Sequence, residues 1–378
     1  MPKELFFSRR RFLRRSAIAA GCLAFSDLFP SFVSAKTSGV IAGAIRWDAW
    51  YKETDVSIFA QESLSSERYF RRAPSFCSVT SSKEIHCQGS PEEMAAEIQA
   101  AVNGGLKYWA FDWYGPDTSL GSAWTLYNQS PLRNLINWCG IVELANLGSV
   151  PFDSNKWQAN MKEWAEYMRQ PHYQKVLEQR PLLYILWNPN HLKWYFDNDP
   201  DKVRQCLDFL RQLLAEFSVG APYIVILQGT AGVSIVNEIG ADAISNYLAQ
   251  HRREAMGFYR DLDLQAQEYW KTLADTNLPI VPIAMFGWDT RPRQEKPQPW
   301  SSAPPDPNPI YYYELPTPAE FASHMQAAVD FIHNNPIACP TKALLIYSWD
   351  ECDEGGGFIP TVGDRKGAYL SAIAPIIS

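Results

Sequence analysis

Apolar and polar positions along the chain fall into a repeating block pattern. A short run of aliphatic and aromatic residues ends in polar or aromatic residues, and a stretch with helical spacing follows. Residues 40–47 read as a first strand, 107–114 as a second, 136–145 as a third, 181–187 as a fourth and 223–228 as a fifth; 280–286 and 343–349 read as the last two. Helices are expected over 91–105, 155–169, 200–217, 241–248, 259–276 and 318–334. Ser90 with Pro91 marks the start of the first of these, and Gly104-Gly105 its end. An eighth strand is found only by adding a weak run at 231–236. Strands that are apolar throughout, alternating with helices, predict parallel pairing with both sheet faces covered. The expected fold is therefore α/β, a single (β/α)8 TIM barrel over residues 36–378, with an open doubly wound sheet as the alternative. No GxGxxG or GxxxxGK[ST] loop follows any strand, which removes the usual nucleotide-binding form of that alternative.

A barrel places its active site at the carboxyl ends of its strands. Several ends carry an aromatic residue beside a carboxylate. The first has Arg46, Trp47 and Asp48; the second Asp112, Trp113 and Tyr114; the third Glu143. Trp187 with Asn188, and Gln228, close the next two; Trp288, Asp289 and Arg291 follow the penultimate strand, and Trp349, Glu351 and Glu354 the last. Flat apolar rings beside hydrogen-bonding groups suit a sugar, which has a C–H face and a hydroxylated rim. Tryptophans that simply fill the barrel are the structural alternative.

The first 35 residues read as an address rather than as fold. Arg9-Arg10 precede Phe12-Leu13, a mildly apolar stretch follows, and Val33-Ser34-Ala35 offers a small-x-small cleavage site. This resembles a bacterial twin-arginine signal peptide, so the expected partners include the twin-arginine export machinery and the expected location is periplasmic or secreted. Cys22 after Ala19-Ala20-Gly21 faintly resembles a lipoprotein box, with Ala in place of the usual Leu, and release is preferred over anchoring. Residues 1–35 hold six Lys and Arg against two Asp and Glu, so the formal charge of −7 becomes −11 once they are removed. An acidic body does not track a phosphate backbone, and nucleic acid is excluded as a partner. No apolar run reaches the ~20 residues of a membrane span, so no integral membrane segment is expected in the mature protein. Of the six cysteines beyond Cys22, Cys77 and Cys87 share one loop and are the best candidates for pairing in an oxidising compartment. No CxxC pair or clustered Cys/His spacing points to a metal, and no cofactor is expected.

The densest chemistry follows the last strand. Trp349-Asp350-Glu351-Cys352-Asp353-Glu354-Gly355-Gly356-Gly357 sets four carboxylates within five residues. Crowded like charges raise one another's pKa, as a general acid requires. A solvated acidic turn, or a calcium loop of Asp350, Asp353 and Glu354, are the competing readings. The segment resembles the Trp-Asn-Glu-x-x-Glu-Gly signature of glycoside hydrolase family 99-like proteins, which include a lipopolysaccharide-biosynthesis glycosyltransferase-like branch. Residues 106–114, Glu143-Leu144-Ala145-Asn146 and Phe286-Gly287-Trp288-Asp289-Thr290-Arg291-Pro292-Arg293 resemble further blocks of that family in the same order. The resemblance implies a barrel acting on polysaccharide or glycan through a paired-glutamate ExxE site. Glu351 would be the base on the sugar 2-hydroxyl, forming an anhydro-sugar intermediate, and Glu354 the acid on the leaving oxygen. Asp350 stands where the family has Asn, Cys352 where it has an aromatic or Ala, and Asp353 where it has His or Ala. The expectation is an exported glycoside hydrolase with a carbohydrate substrate. Its alternatives are a non-catalytic glycan-binding or assembly protein and a glycosyl-transferring enzyme, the latter opposed by export and by the missing phosphate loop. Finally, residues 291–318 hold nine prolines and are expected to form an ordered loop over the pocket, with Tyr313 facing the substrate.

Overall fold

The computed structural model describes residues 39–249, 257–297 and 312–378. The expected export signal, Cys22, and residues 298–311 of the proline-rich stretch, with Trp300, lie outside the described residues.

Eight parallel strands form a (β/α)8 barrel: β1 (Ile41–Arg46), β2 (Tyr108–Asp112), β3 (Asn137–Glu143), β4 (Arg180–Leu186), β5 (Tyr223–Leu227), β6 (Ala243–Ser245), β7 (Ile283–Met285) and β8 (Ala343–Tyr347). Pairing runs β7-β8-β1-β2-β3-β4-β5-β6, the chain order written around a circle. The ring closes between β6 and the approach to β7. There the Ile244 N–H donates to the Pro279 carbonyl at 3.0 Å, and the Val281 N–H to the Ile244 carbonyl at 3.1 Å. A helix follows each strand: α1 (Pro91–Asn103), α2 (Ser122–Gln129), α3 (Asn155–Met168), α4 (Pro200–Glu216), α5 (Gly232–Ile239), α6 (Tyr259–Ala274), α7 (Pro318–Asn334) and α8 (Ala368–Ile377).

The helix starts are written in side chains. Ser90, Ser154 and Asp199 each accept a backbone N–H from the first turn of α1, α3 and α4, and Thr317 with Glu320 forms a capping box on α7. Proline follows the cap in α1, α4 and α7, where its missing N–H costs nothing.

Between β5 and α6 the structure inverts the sequence expectation. Residues 231–236, expected as a strand, belong largely to α5, and 241–248, expected as a helix, contain β6. Gly232, Ile235, Val236 and Ile239 form the buried face of α5 at helical spacing, although the β-branched Ile235, Val236 and Ile239 suggest a strand. All three residues of β6 are buried, and three residues are too few to show a period. Cys77 and Cys87 are joined in a disulfide in the connection between β1 and α1, across a two-stranded hairpin of Ser78–Val79 and Ile85–His86. No described helix is long and apolar enough to cross a membrane.

Candidate active site

The chain leaving β8 turns sharply. A cis peptide joins Tyr347 to Ser348, and Trp349 drops back into the core. Residues Cys352–Glu354 make one 3-10 turn, and Gly355 ends it at φ +68°, a left-handed conformation that favours glycine. A Cβ on Gly356 would sit 2.3 Å from the Tyr347 ring, so only glycine lets the turn lie against that tyrosine. The Ser348 hydroxyl accepts the Glu351 N–H at 2.9 Å, and the Glu351 carbonyl accepts the Gly356 N–H at 3.0 Å. Asp350 ties the turn to β1: its Oδ1 accepts the Trp47 N–H at 2.8 Å, and its carbonyl accepts the Trp50 indole N–H at 2.8 Å.

A second element meets this turn. The short helix Arg291–Glu295, just beyond β7, brings in Arg293. Its Nε donates to Asp353 Oδ2 at 2.7 Å and its Nη2 to Asp353 Oδ1 at 3.1 Å and Glu351 Oε2 at 3.2 Å, while its Nη1 bonds Glu354 Oε1. One guanidinium thus holds three of the four clustered carboxylates, and it lies 5.0 Å from the Trp47 ring centroid. The calcium reading loses its donors here, because Asp353 and Glu354 are engaged by a cation already in place.

A cavity of about 390 Å³ opens at the carboxyl ends of the strands. Trp47 lines it from β1; Asp112, Trp113 and Tyr114 from β2; Glu143 and Asn146 from β3 and the short helix Leu144–Gly148; Tyr247 from beyond β6; Arg293 and Glu351 from β7 and β8. The Tyr247 hydroxyl lies 2.7 Å from Asp112 Oδ2 and 2.9 Å from Glu351 Oε1. A phenol has one proton and can donate to only one of them, so the other contact is favourable when that carboxyl carries a proton. The electrostatics agree. Burial pushes the Asp112 carboxyl up to about 8, against the Tyr247 hydrogen bond and with help from Glu143. Burial, then Glu354, holds Glu351 well above the ordinary carboxylate range, with Arg293 opposing. Burial likewise raises the Tyr247 phenol, which stays neutral.

The remaining sequence candidates divide into groups. Trp47, Asp112, Trp113, Tyr114 and Glu143 line the cavity with Glu351. Glu354 stands behind it, its second oxygen bonded by the Tyr347 hydroxyl. Arg46, Asp48 and Trp349 sit apart in a buried cluster around Glu97: Arg46 lies 2.8 Å from Asp48 Oδ1 and 2.9 Å from Glu97 Oε2, and the Trp349 indole donates to the same Glu97 oxygen at 2.8 Å. Burial raises Asp48, and burial with the Asp48 charge raises Asp350. Asp289 is buried between Arg291, which binds it through two bonds of 2.7 Å, and Arg72, and these cations hold its carboxyl below the usual range despite burial. Trp288 is half-buried with its ring 6.0 Å from that of Tyr347. Tyr313 is 2% exposed, because its ring packs on Gly257 and its hydroxyl accepts from Gln265 at 2.7 Å; it does not line the cavity.

Sequence reasoning passed over Arg293, Tyr247 and Tyr347. Arg293 lies in the block that follows β7, three residues beyond Thr290, but its carboxylate partners come from the turn after β8. Tyr247 was hidden by reading residues 241–248 as a helix, since only a strand end marks it as a cavity residue.

By sequence, no family model and no curated protein matches the chain. Among solved structures, the chain is similar to the GH99 endo-alpha-mannosidase from Bacteroides thetaiotaomicron in complex with BIS-TRIS-propane. That alignment has a TM-score of 0.52 at 13% identity and covers 89% of this chain and 96% of the other. The likeness is one of fold. A second structure of that mannosidase aligns with a TM-score of 0.47 at 14% identity, over 89% and 95% of the two chains. A glycoside hydrolase family 5 enzyme from Prevotella bryantii aligns with a TM-score of 0.39 at 9% identity, over 92% and 100%.

Proposed function

We propose that the chain is an exported glycoside hydrolase cleaving a polysaccharide or glycan, with Glu351 and Glu354 as its acid–base pair. The observation that carries this reading is Glu351 in the wall of a cavity lined by Trp47, Trp113 and Tyr114, with Glu354 on the same turn and bridged to it by Arg293. Aromatic walls stack a sugar ring, and two neighbouring carboxyls supply a base and an acid. Glu351 takes the proton of the sugar 2-hydroxyl, whose oxygen displaces the leaving oxygen at the anomeric carbon. Glu354 protonates that leaving oxygen. Water then opens the anhydro ring as the two glutamates exchange roles.

A second arrangement of the same reaction is favoured by the Tyr247 hydroxyl, which lies between Asp112 and Glu351. Glu354 is occupied by Arg293 and Tyr347, whereas Asp112 lines the cavity and keeps its proton to about 8. In that arrangement Asp112 is the acid. Reducing-sugar release from a panel of polysaccharides by Glu351→Gln, Glu354→Gln and Asp112→Asn separates the two. Loss of at least ~100-fold in turnover for Glu351→Gln and Glu354→Gln supports the glutamate pair. The same loss for Glu351→Gln and Asp112→Asn, with Glu354→Gln active, supports the second arrangement. Near-full activity of Glu351→Gln refutes both, and binding without hydrolysis by the unaltered protein leaves the glycan-binding alternative. Export is supported by the twin-arginine pattern at Arg9-Arg10 and by the Cys77–Cys87 disulfide, which persists in oxidising compartments.

A further inference from the structure

The helix Pro189–Phe196, just beyond the carboxyl end of β4, carries the most exposed tryptophan among the described residues. Trp194 is 64% exposed, and Tyr195 beside it and Phe152 close by are also exposed. One exposed ring needs no explanation, but three on neighbouring elements at one edge of a barrel mouth do. This rim is tied to the cavity. His191, one turn before Trp194, has its Nδ1 3.1 Å from Glu143 Oε2, and its ring centroid lies 5.7 Å from that of Trp194 and 5.6 Å from that of Tyr195. The helix Leu144–Gly148 separates two hollows: Ala145 and Asn146 line the cavity that holds Glu351, while Leu147 and Gly148 line a second one of about 400 Å³. Phe152 and Tyr195 supply apolar walls to that second hollow, and Asp199 and Lys202 supply polar groups. A Cβ on Gly148 would fall 2.5 Å from the Phe196 ring, so glycine there is what lets the two helices meet.

We propose that this rim is a distal sugar-binding subsite. Trp194 and Tyr195 offer flat faces to sugar rings, and the hollow beyond Leu144–Gly148 receives a further unit of the same chain. The substrate is then a carbohydrate chain long enough to run from the Glu351 cavity past Glu143 to Trp194. The inference rests on the reading that the Glu351 cavity cleaves glycosidic bonds, but the subsite binds whether or not that reading holds.

Affinity gel electrophoresis in α-mannan, mixed-linkage β-glucan and xylan reads binding without turnover, and kcat/KM on the retarding polysaccharide and on an aryl glycoside of the same sugar reads the use of the subsite. The variants are Trp194→Ala with Tyr195→Ala, Trp194→Phe, and Leu264→Ala as a control at an exposed position on α6. The unaltered protein and the control are expected to be retarded and the double variant not. The double variant's kcat/KM should fall at least ~10-fold more on the polysaccharide than on the aryl glycoside, with partial rescue in Trp194→Phe. A double variant that is retarded and cleaves like the unaltered protein, or that loses both substrates equally, overturns the subsite. Retardation abolished by the double variant, with no hydrolysis by any form, upholds the subsite and removes the hydrolase reading. An unaltered protein that neither binds nor cleaves any of the three overturns both.

Discussion

Asp112 shows how a single side chain can carry a pH dependence. It sits on the cavity wall with one oxygen 2.7 Å from the Tyr247 hydroxyl, and burial lifts its carboxyl from the usual value near 4 to about 8. In the unfolded chain it ionises near pH 4, so between that point and about pH 8 the folded state binds more protons than the unfolded one. Its favourable contribution is complete below about pH 4 and is lost as pH rises toward 8. Asparagine has the same shape and no titration. Thermal unfolding across this range should therefore give Asp112→Asn a flatter melting curve against pH than the unaltered protein, with the variant relatively more stable at the alkaline end. Parallel curves would show that Asp112 does not hold its proton. The effect is a stability effect and stands apart from turnover, where the same substitution reports whether Asp112 is the acid.

At the scale of elements, the site is a junction between the turn after β8 and the short helix after β7, and Arg293 makes it. Its guanidinium faces Asp353, Glu351 and Glu354, and its side chain is 20% exposed. Removing one partner of a buried ion pair leaves charge uncompensated, at a cost of about 3 kcal/mol or more. Arg293→Ala should lower the melting temperature accordingly near neutral pH. The loss should shrink as the pH is lowered, because Glu351, held above the ordinary carboxylate range by burial and then by Glu354, takes up its proton and no longer needs the cation. Arg293→Lys should recover only part of it, since an ammonium cannot present the planar fork that spans three carboxylates. Equal losses at both ends of the pH range would place the effect of Arg293 in packing. The junction was only half legible in the chain. The ExxE run and the strand before it are local features, and seven barrel strands fall where apolar runs lie. Arg293, by contrast, acts through a contact between positions 58 to 61 residues apart, which no local pattern displays. Tyr247 depends on β6, whose three buried residues are too short to show a period. For Tyr313, aromatic character in a proline-rich stretch suggested a substrate contact, yet a ring of that size against Gly257 is equally good core.

For the whole molecule, the export proposed above and folding have to be compatible. Twin-arginine signals direct proteins that have already folded, so under the proposed route the barrel would form in a reducing compartment with Cys77 and Cys87 as thiols. The structure allows this. The disulfide closes a separation of only ten residues in the connection between β1 and α1, and both its cysteines are buried, but none of the strand pairings of the barrel includes it. The bond should therefore be a late addition made after translocation. With Arg9→Lys and Arg10→Lys, full-length precursor should accumulate in the cytoplasm as folded, protease-resistant protein. Alkylation under denaturing conditions should then find two more free thiols in the barrel of that precursor than in the mature protein recovered from the periplasm. The four remaining cysteines of the barrel, Cys139, Cys206, Cys339 and Cys352, are buried and free, and should count equally in both forms. Undiminished mature protein in the periplasm of the double variant would refute the twin-arginine route. An unfolded, protease-sensitive precursor would show instead that the barrel needs the Cys77–Cys87 bond to form, and that a route carrying unfolded chains serves this protein.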